Sequence, residues 1–310
     1  MTSLPMSTVT AESSGTWTLG DLPVRRIGLG AMRLPQTGTA LVADAVPRDR
    51  GQAITVLRRA VDLGVNHIDT ADFYFSPLRS ANELINSALG GPYPGDLVIA
   101  TKVGPRRATD GTWTTAATPE ELRGQVEENL RQLGRDHLDL VYLRVMRPGP
   151  VSEHFGALAE LREKGLIRHL GLSNIRPQHL DEARRIAPVV SVQNPYGLGL
   201  NPAQGELVAR CGELGIAFVP FYAIAGAAGE QGAVDGEIPE VAATARALDA
   251  TPAQVRLAWS LAQGPHLLAI PGTGDPEHLA ANVAAGALRL TERELRTLDD
   301  AHRGRAARAG

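Results

Sequence analysis

A single cysteine is present among the 310 residues of this chain. Cys211 can form no internal disulfide, so it reads as a buried helix thiol in a protein of a reducing compartment, the cytoplasm. Net charge is equally sparse: 31 Lys and Arg against 34 Asp and Glu leave −3, too weak a field to gather nucleic acid or an anionic membrane surface. Small soluble partners are expected instead, and no metal. A long apolar run is also missing. The longest, residues 216–228, is broken by proline and glycine and falls short of the ~20 apolar residues of a membrane span. Residues 1–16 lack the cationic-then-apolar order of a secretion leader and read as a loose tail, as do residues 304–310. No low-complexity linker divides residues 17–303, which read as one domain. Nothing sets an oligomeric state.

From residue 27 onward, short β-rich runs alternate with stretches of helical period, the pattern of parallel strands joined by crossover helices. Eight strands are predicted, at 27–30, 67–70, 97–102, 140–145, 169–173, 189–193, 217–221 and 267–270. Helix starts are marked at Thr118-Pro119-Glu120-Glu121, Asn201-Pro202-Ala203-Gln204 and Thr251-Pro252-Ala253-Gln254 by a capping side chain, a proline, and Glu or Gln three residues on. Gly64, Gly134, Gly165 and Gly215 are placed to end helices in the left-handed conformation. The expected fold is an α/β (β/α)8 TIM barrel, with an N-terminal β-hairpin at 17–24 plugging its floor and an accessory C-terminal helix. The Gly/Ala-rich stretch 226–236 reads as a mobile loop over the mouth. An open dinucleotide-binding sheet is the competing fold, but its fingerprint is absent: Gly28-Leu29-Gly30-Ala31-Met32-Arg33 lacks the third glycine.

Parallel strands of a barrel all end on one face, so Asp69, Lys102, Arg144, Ser173, Asn174, Gln193 and Phe221 are expected to converge. A free phenol, with a pKa near ~10, exchanges protons poorly at neutral pH, and a neighbouring ammonium corrects that. Tyr74, Lys102 and Asp69 can thus form a relay that gives a proton to a developing alkoxide. His67 shares the Asp69 strand face and reads as a satisfied core histidine.

At this point the sequence resembles the aldo-keto reductase family. The run Gly64-Val65-Asn66-His67-Ile68-Asp69-Thr70-Ala71-Asp72-Phe73-Tyr74 looks like the family signature that carries a catalytic Asp and Tyr, and Thr101-Lys102 matches its lysine strand. The likeness extends from about Ile27 to Leu298. It implies a barrel that binds NADPH without a Rossmann domain, with Asp69, Tyr74 and Lys102 catalytic. Gly171-Leu172-Ser173-Asn174 and Gln193-Asn194 resemble the strand ends that hold the nicotinamide amide. Phe221 would stack on the ring, beside Tyr222 and Ala223, with Gly30, Ala31, Met32 and Asp69 also at the cofactor. Ile270, Gly272, Thr273, Gly274, His278 and Asn282 would bind the adenosine end, where a glycine-rich turn into a helix start either offers N–H groups to phosphate or is merely a strand, turn and helix cap.

Two departures from the family pattern stand out. Gly272 and His278 occupy places where many members carry Lys and Arg for the ribose 2′-phosphate. In Val141-Tyr142-Leu143-Arg144-Val145-Met146, Arg144 stands where the family has His. A guanidinium is always charged and offers a fork of donors, but it cannot act as a proton acid. Either Arg144 is a working replacement that also grips an anionic or phenolic oxygen, or the protein reduces another bond or nothing. Pro47-Arg48-Asp49-Arg50, Asn66-His67-Ile68-Asp69, Leu143-Arg144-Val145-Met146 and Gly272-Thr273 resemble a bacterial branch of the family that includes pyridoxal reductases. That resemblance implies reduction of an aldehyde or ketone, pyridoxal first. Competing readings are a tailoring reductase of secondary metabolism acting on a larger ketone or conjugated alkene, hinted at by the loop Phe75-Ser76-Pro77-Leu78-Arg79, and a weakly catalytic NADPH-binding redox sensor. Phe73, Phe75 and Trp113, with Arg144, are the substrate-pocket candidates.

Overall fold

A computed structural model describes residues 9–114, 116–224 and 238–309; the loop expected at 226–236 lies outside them. The chain enters through a 3-10 turn, Ala11–Ser14, and an antiparallel hairpin of β1 (Thr16–Leu19) and β2 (Leu22–Arg25). Turn and strand correct the expected loose tail over residues 11–16, while residues 1–8 of that tail lie outside the described ones. Ala11 is buried with its N–H on Leu63 O, and Ser14 Oγ donates to Ala11 O while accepting the Ile27 N–H. Gly286, which has no side chain to collide with Ser14, leaves room for this contact. Leu19 and Val24 of the hairpin pack among Val98, Ala100, Leu140, Tyr142, Ala217, Val219 and Leu268, closing the end of the sheet where the strands begin.

After the hairpin come β3 (Leu29–Gly30), a small pair β4 (Gln36–Thr37) and β5 (Val46–Pro47), α1 (Arg50–Asp62) and β6 (His67–Asp69). A second small pair, β7 (Phe75–Ser76) and β8 (Arg79–Ser80), leads into α2 (Ala81–Leu89). Strand and helix then alternate through β9 (Val98–Val103), α3 (Pro119–Leu133), β10 (Leu138–Arg144), α4 (Ser152–Glu163), β11 (Ile167–Ser173) and α5 (Pro177–Arg184). They continue with β12 (Val189–Gln193), α6 (Gly205–Glu213), β13 (Ala217–Phe218), α7 (Pro239–Ala247), α8 (Pro252–Ala262), α9 (Pro276–Ala284) and α10 (Glu292–Ala309).

Seven strands form one parallel sheet in the order β13-β12-β11-β10-β9-β6-β3. Covered by helices outside and by side chains inside, such strands can be apolar throughout, and every residue of β9 is buried. The eighth predicted strand is not continuous. Segment 266–272 instead makes single bridges to both sheet edges: Phe218 donates to His266 O, Gly28 donates to Ala269 O, and Gly30 pairs with Gly272. Pro271 has no N–H to extend a ladder there. The result is a curled, TIM-barrel-like α/β fold whose two edges are joined through this segment.

The predicted helix starts at Thr118 and Thr251 are reciprocal capping boxes with Glu121 and Gln254. Asn201 differs: its Nδ2 is engaged by Pro195 O, and a 3-10 turn, Pro202–Gln204, precedes α6. Gly64, Gly134, Gly165 and Gly215 all have φ between +64° and +78°, as helix ends before the next strand require. Cys211 is fully buried, which pushes its thiol up to about 12. The last helix continues to Ala309 where a tail from 304 was expected; its Ala and Arg residues favour helix and only Gly304 opposes it. Among the described residues no helix is long and apolar enough to cross a membrane.

Candidate active site

The parallel strands deliver their final residues to one end of the sheet, and side chains alternate inward and outward along each strand. Asp69, Lys102, Arg144 and Gln193 accordingly meet. Lys102 Nζ donates to Asp69 Oδ1 at 2.5 Å and to Thr70 O at 2.8 Å, and Gln193 Nε2 donates to Asp69 Oδ2 at 2.8 Å. The Lys102 and Asp69 side chains are only 1% and 3% exposed. So a buried ammonium is neutralised by one acid, and both oxygens of that acid are spoken for. Lys102 Nζ lies over the Tyr74 ring, 4.8 Å from its centroid. Tyr74 is held by its backbone, donating to Ala71 O and accepting from the Ala81 N–H, and by the Phe73 ring edge-on at 5.1 Å.

Tyr74 and Asp69 line a cavity of about 580 Å³ that also takes in Arg144, Gln193 and Phe221 and reaches Ile270, Gly272, Thr273, His278 and Asn282. Lys102 stands behind this wall. Arg144 Nη1 donates to Ser173 Oγ at 3.4 Å, and its Cζ sits 5.2 Å from the Phe221 ring centroid. Phe73, Trp113, Met146 and Leu41 supply apolar wall, and Arg33 adds a cation near Gly272. The cavity thus offers aromatic faces and a phenol toward one end and a cation with polar side chains toward the other. An extended molecule with a flat ring and an anionic group fits these donors.

The aldo/keto reductase family profile matches residues 26–303. This chain belongs to the aldo/keto reductase family. Its sequence is 45% identical over 294 residues to pyridoxine 4-dehydrogenase of Escherichia coli (strain K12), covering 93% of this chain and 98% of that protein. An uncharacterized oxidoreductase of Schizosaccharomyces pombe is 38% identical, covering 95% of this chain and 92% of that protein. Among solved structures, an aldo/keto reductase from Klebsiella pneumoniae in complex with NADP and acetate superposes with a TM-score of 0.74 at 27% identity. It covers 93% of this chain and 95% of its own.

Within this aldo/keto reductase site, Gly30, Met32, Tyr222 and Ala223 line the cavity. Ala31, Ser173, Asn174, Gly274 and Phe75 do not. Asn174, at φ +59°, turns its Nδ2 to Val145 O at 2.8 Å. Phe75 lies against the Arg107 guanidinium at 4.2 Å. At the adenosine end, the N–H groups of Glu277 and His278 are engaged within the chain. Asp275, a favoured capping residue, accepts both through Oδ1.

Sequence reading also missed residues here. Arg48 donates to Arg33 O at 2.9 Å and to Gly274 O at 3.3 Å, so cations from the first strand-to-helix loop reach a turn that seemed to lack them. Arg107 ties three loops by donating to Phe73 O, Phe75 O, Val42 O and Gly111 O. All its partners are backbone carbonyls, which leave no sequence signal. His67 is not a satisfied core histidine: both ring nitrogens lack a hydrogen-bond partner among the described residues. It lies against Gly28 inside the strand ring, and burial lowers it to about 4, leaving it neutral. Asp72 is half-buried, with Oδ1 sealed from solvent and unpartnered among the described residues. Burial pushes its carboxyl up to about 8 against the pull of the Phe73 N–H.

Proposed function

We propose that this chain reduces an aldehyde or ketone to the alcohol with NADPH, in the cytoplasm and on its TIM-barrel-like fold, with pyridoxal the leading substrate. The observation that carries the reading is the buried Asp69–Lys102 pair set over the ring of a cavity-lining phenol. A bound NADPH would supply hydride to the carbonyl carbon. Phe221, Tyr222, Ala223, Met32, Thr273, His278 and Asn282, all on the cavity wall, would hold it. Arg33 would add positive charge toward its phosphates.

Tyr74 gives the proton to the carbonyl oxygen as negative charge develops there. Lys102 cannot reach substrate through the wall, so it acts on Tyr74 electrostatically, and Asp69 with Gln193 keeps it aimed. Arg144 cannot compete as an acid. Its fixed charge polarises the carbonyl oxygen and favours substrates with a second anionic oxygen nearby. Pyridoxal, an aldehyde beside a phenolic oxygen, has that pattern, and the Escherichia coli relative named for pyridoxine supports the choice.

The test is reduction of pyridoxal by NADPH with wild type and Arg144→Ala. Loss of one oxyanion donor is expected to lower kcat/KM by about 10²-fold. Unchanged turnover would remove Arg144 from the mechanism. A wild type that binds NADPH yet reduces no member of a broad aldehyde panel would reject the reading.

A further inference from the structure

Asp69 and Lys102 face the interior of the strand ring, so their chain neighbours Thr70 and Thr101 face outward, toward the helices. Both threonines are fully buried there and meet two equally buried asparagines, Asn82 of α2 and Asn129 of α3. Thr70 Oγ1 donates to Asn82 Oδ1 at 2.8 Å, and Asn82 Nδ2 donates to Asn129 Oδ1 at 2.9 Å. Thr101 Oγ1 donates to the same Asn129 oxygen at 2.6 Å, and Asn129 Nδ2 ends the chain on Gln125 O at 2.8 Å. Gln125 in turn accepts the Gly104 N–H and donates to Pro105 O, just past the end of β9.

Polar side chains between a sheet and its helices are a costly choice where apolar ones would pack, unless their bonds specify something. Here they join the two strands that carry the acid and the ammonium. From inside, the same strand pair is joined by Lys102 Nζ to Asp69 Oδ1 and Thr70 O. We infer that Asn82 and Asn129 are positioning residues of the active site, fastening β6 to β9 from the helix side so that the Lys102 ammonium stays over Tyr74. The inference rests on the reductase reading for its kinetic consequence, but its geometric content can be read separately.

The chain has only two lysines, buried Lys102 and exposed Lys164, so ¹⁵Nζ spectra of lysine-labelled protein give one reporter at the site and one control. Thr70→Val/Thr101→Val keeps both shapes and deletes both hydroxyls. We expect the Lys102 resonance to shift or broaden while Lys164 stays put. We also expect kcat for aldehyde reduction to fall about 10- to 100-fold, the scale of sub-ångström to ångström misplacement, with the NADPH dissociation constant unchanged. Thr101→Ser, which keeps the hydroxyl, should retain wild-type values. An unmoved Lys102 signal in the folded double variant, or equal losses in the Val and Ser variants, would overturn the inference. Should the double variant fail to fold, Thr101→Val alone gives the same readings, because Asn129 Oδ1 keeps the bond from Asn82. A wild type inert toward every aldehyde would reject the reductase reading, while the lysine spectra would still decide the positioning role.

Discussion

Replacing Lys102 by methionine keeps most of the side-chain volume and removes the charge. It leaves the Asp69 carboxylate, 3% exposed, with the Gln193 amide as its remaining bonded partner in the site. Breaking a buried pair from one side strands the other charge and costs about 3–5 kcal/mol. At roughly 2 °C per kcal/mol for a chain of this size, Lys102→Met should melt about 6–10 °C below wild type. Lys102→Met/Asp69→Leu removes the stranded charge as well. Its stability should recover to within about 1–3 kcal/mol of wild type, the shortfall being the unpaired Gln193 amide. Turnover with NADPH and pyridoxal should stay lost in both, which separates the stability of the fold from the chemistry of the pair. Thermal unfolding beside steady-state rates makes the comparison. A single variant that melts with wild type, or a double variant less stable than the single, would refute the account of the buried charge.

Two further outcomes follow from groups around the cavity. The Asp72 carboxyl is raised from 3.8 to about 8 by burial, so the native chain keeps a proton that the unfolded chain releases, and stability is lost as pH rises through that window. Asp72→Asn should therefore gain over wild type by about 1 kcal/mol per pH unit between roughly pH 5 and 7 in denaturant unfolding, and a difference independent of pH would contradict this. Arg107→Lys gives up the fork that ties the Phe73, Phe75, Val42 and Gly111 carbonyls. The carbonyl substrate's KM should rise about 10-fold while NADPH affinity holds, and an unchanged KM would show that the mouth does not need the clamp.

What sequence could and could not convey follows from the range of each signal. Asp69, Lys102, Arg144 and Gln193 were legible because each sits at the end of an apolar run, and a parallel barrel sends all such ends to one face. Capping boxes at Thr118 and Thr251 were legible because both partners lie within four residues. The eighth strand was over-read, since an apolar run does not reveal that its bonds go singly to two different neighbours. Arg107 and Arg48 were invisible because backbone carbonyls from distant loops receive them. The start of α9, readable as a phosphate site or as a helix cap, is capped by Asp275. Ser173 Oγ accepts from Arg144 and Asn174 Nδ2 donates to Val145 O, bonds between strand ends that a linear motif does not display.

The central claim is that Tyr74 is the proton donor beside a bound reduced nicotinamide, and Tyr74→Phe tests it most directly. NADPH oxidation in the presence of pyridoxal, measured together with NADPH binding by fluorescence, should show wild-type turnover. In the variant, kcat should fall by about 10²–10⁴-fold, the usual share of a positioned acid, with NADPH bound as tightly as before. Wild-type turnover in Tyr74→Phe, or no NADPH binding by either protein, would contradict the account.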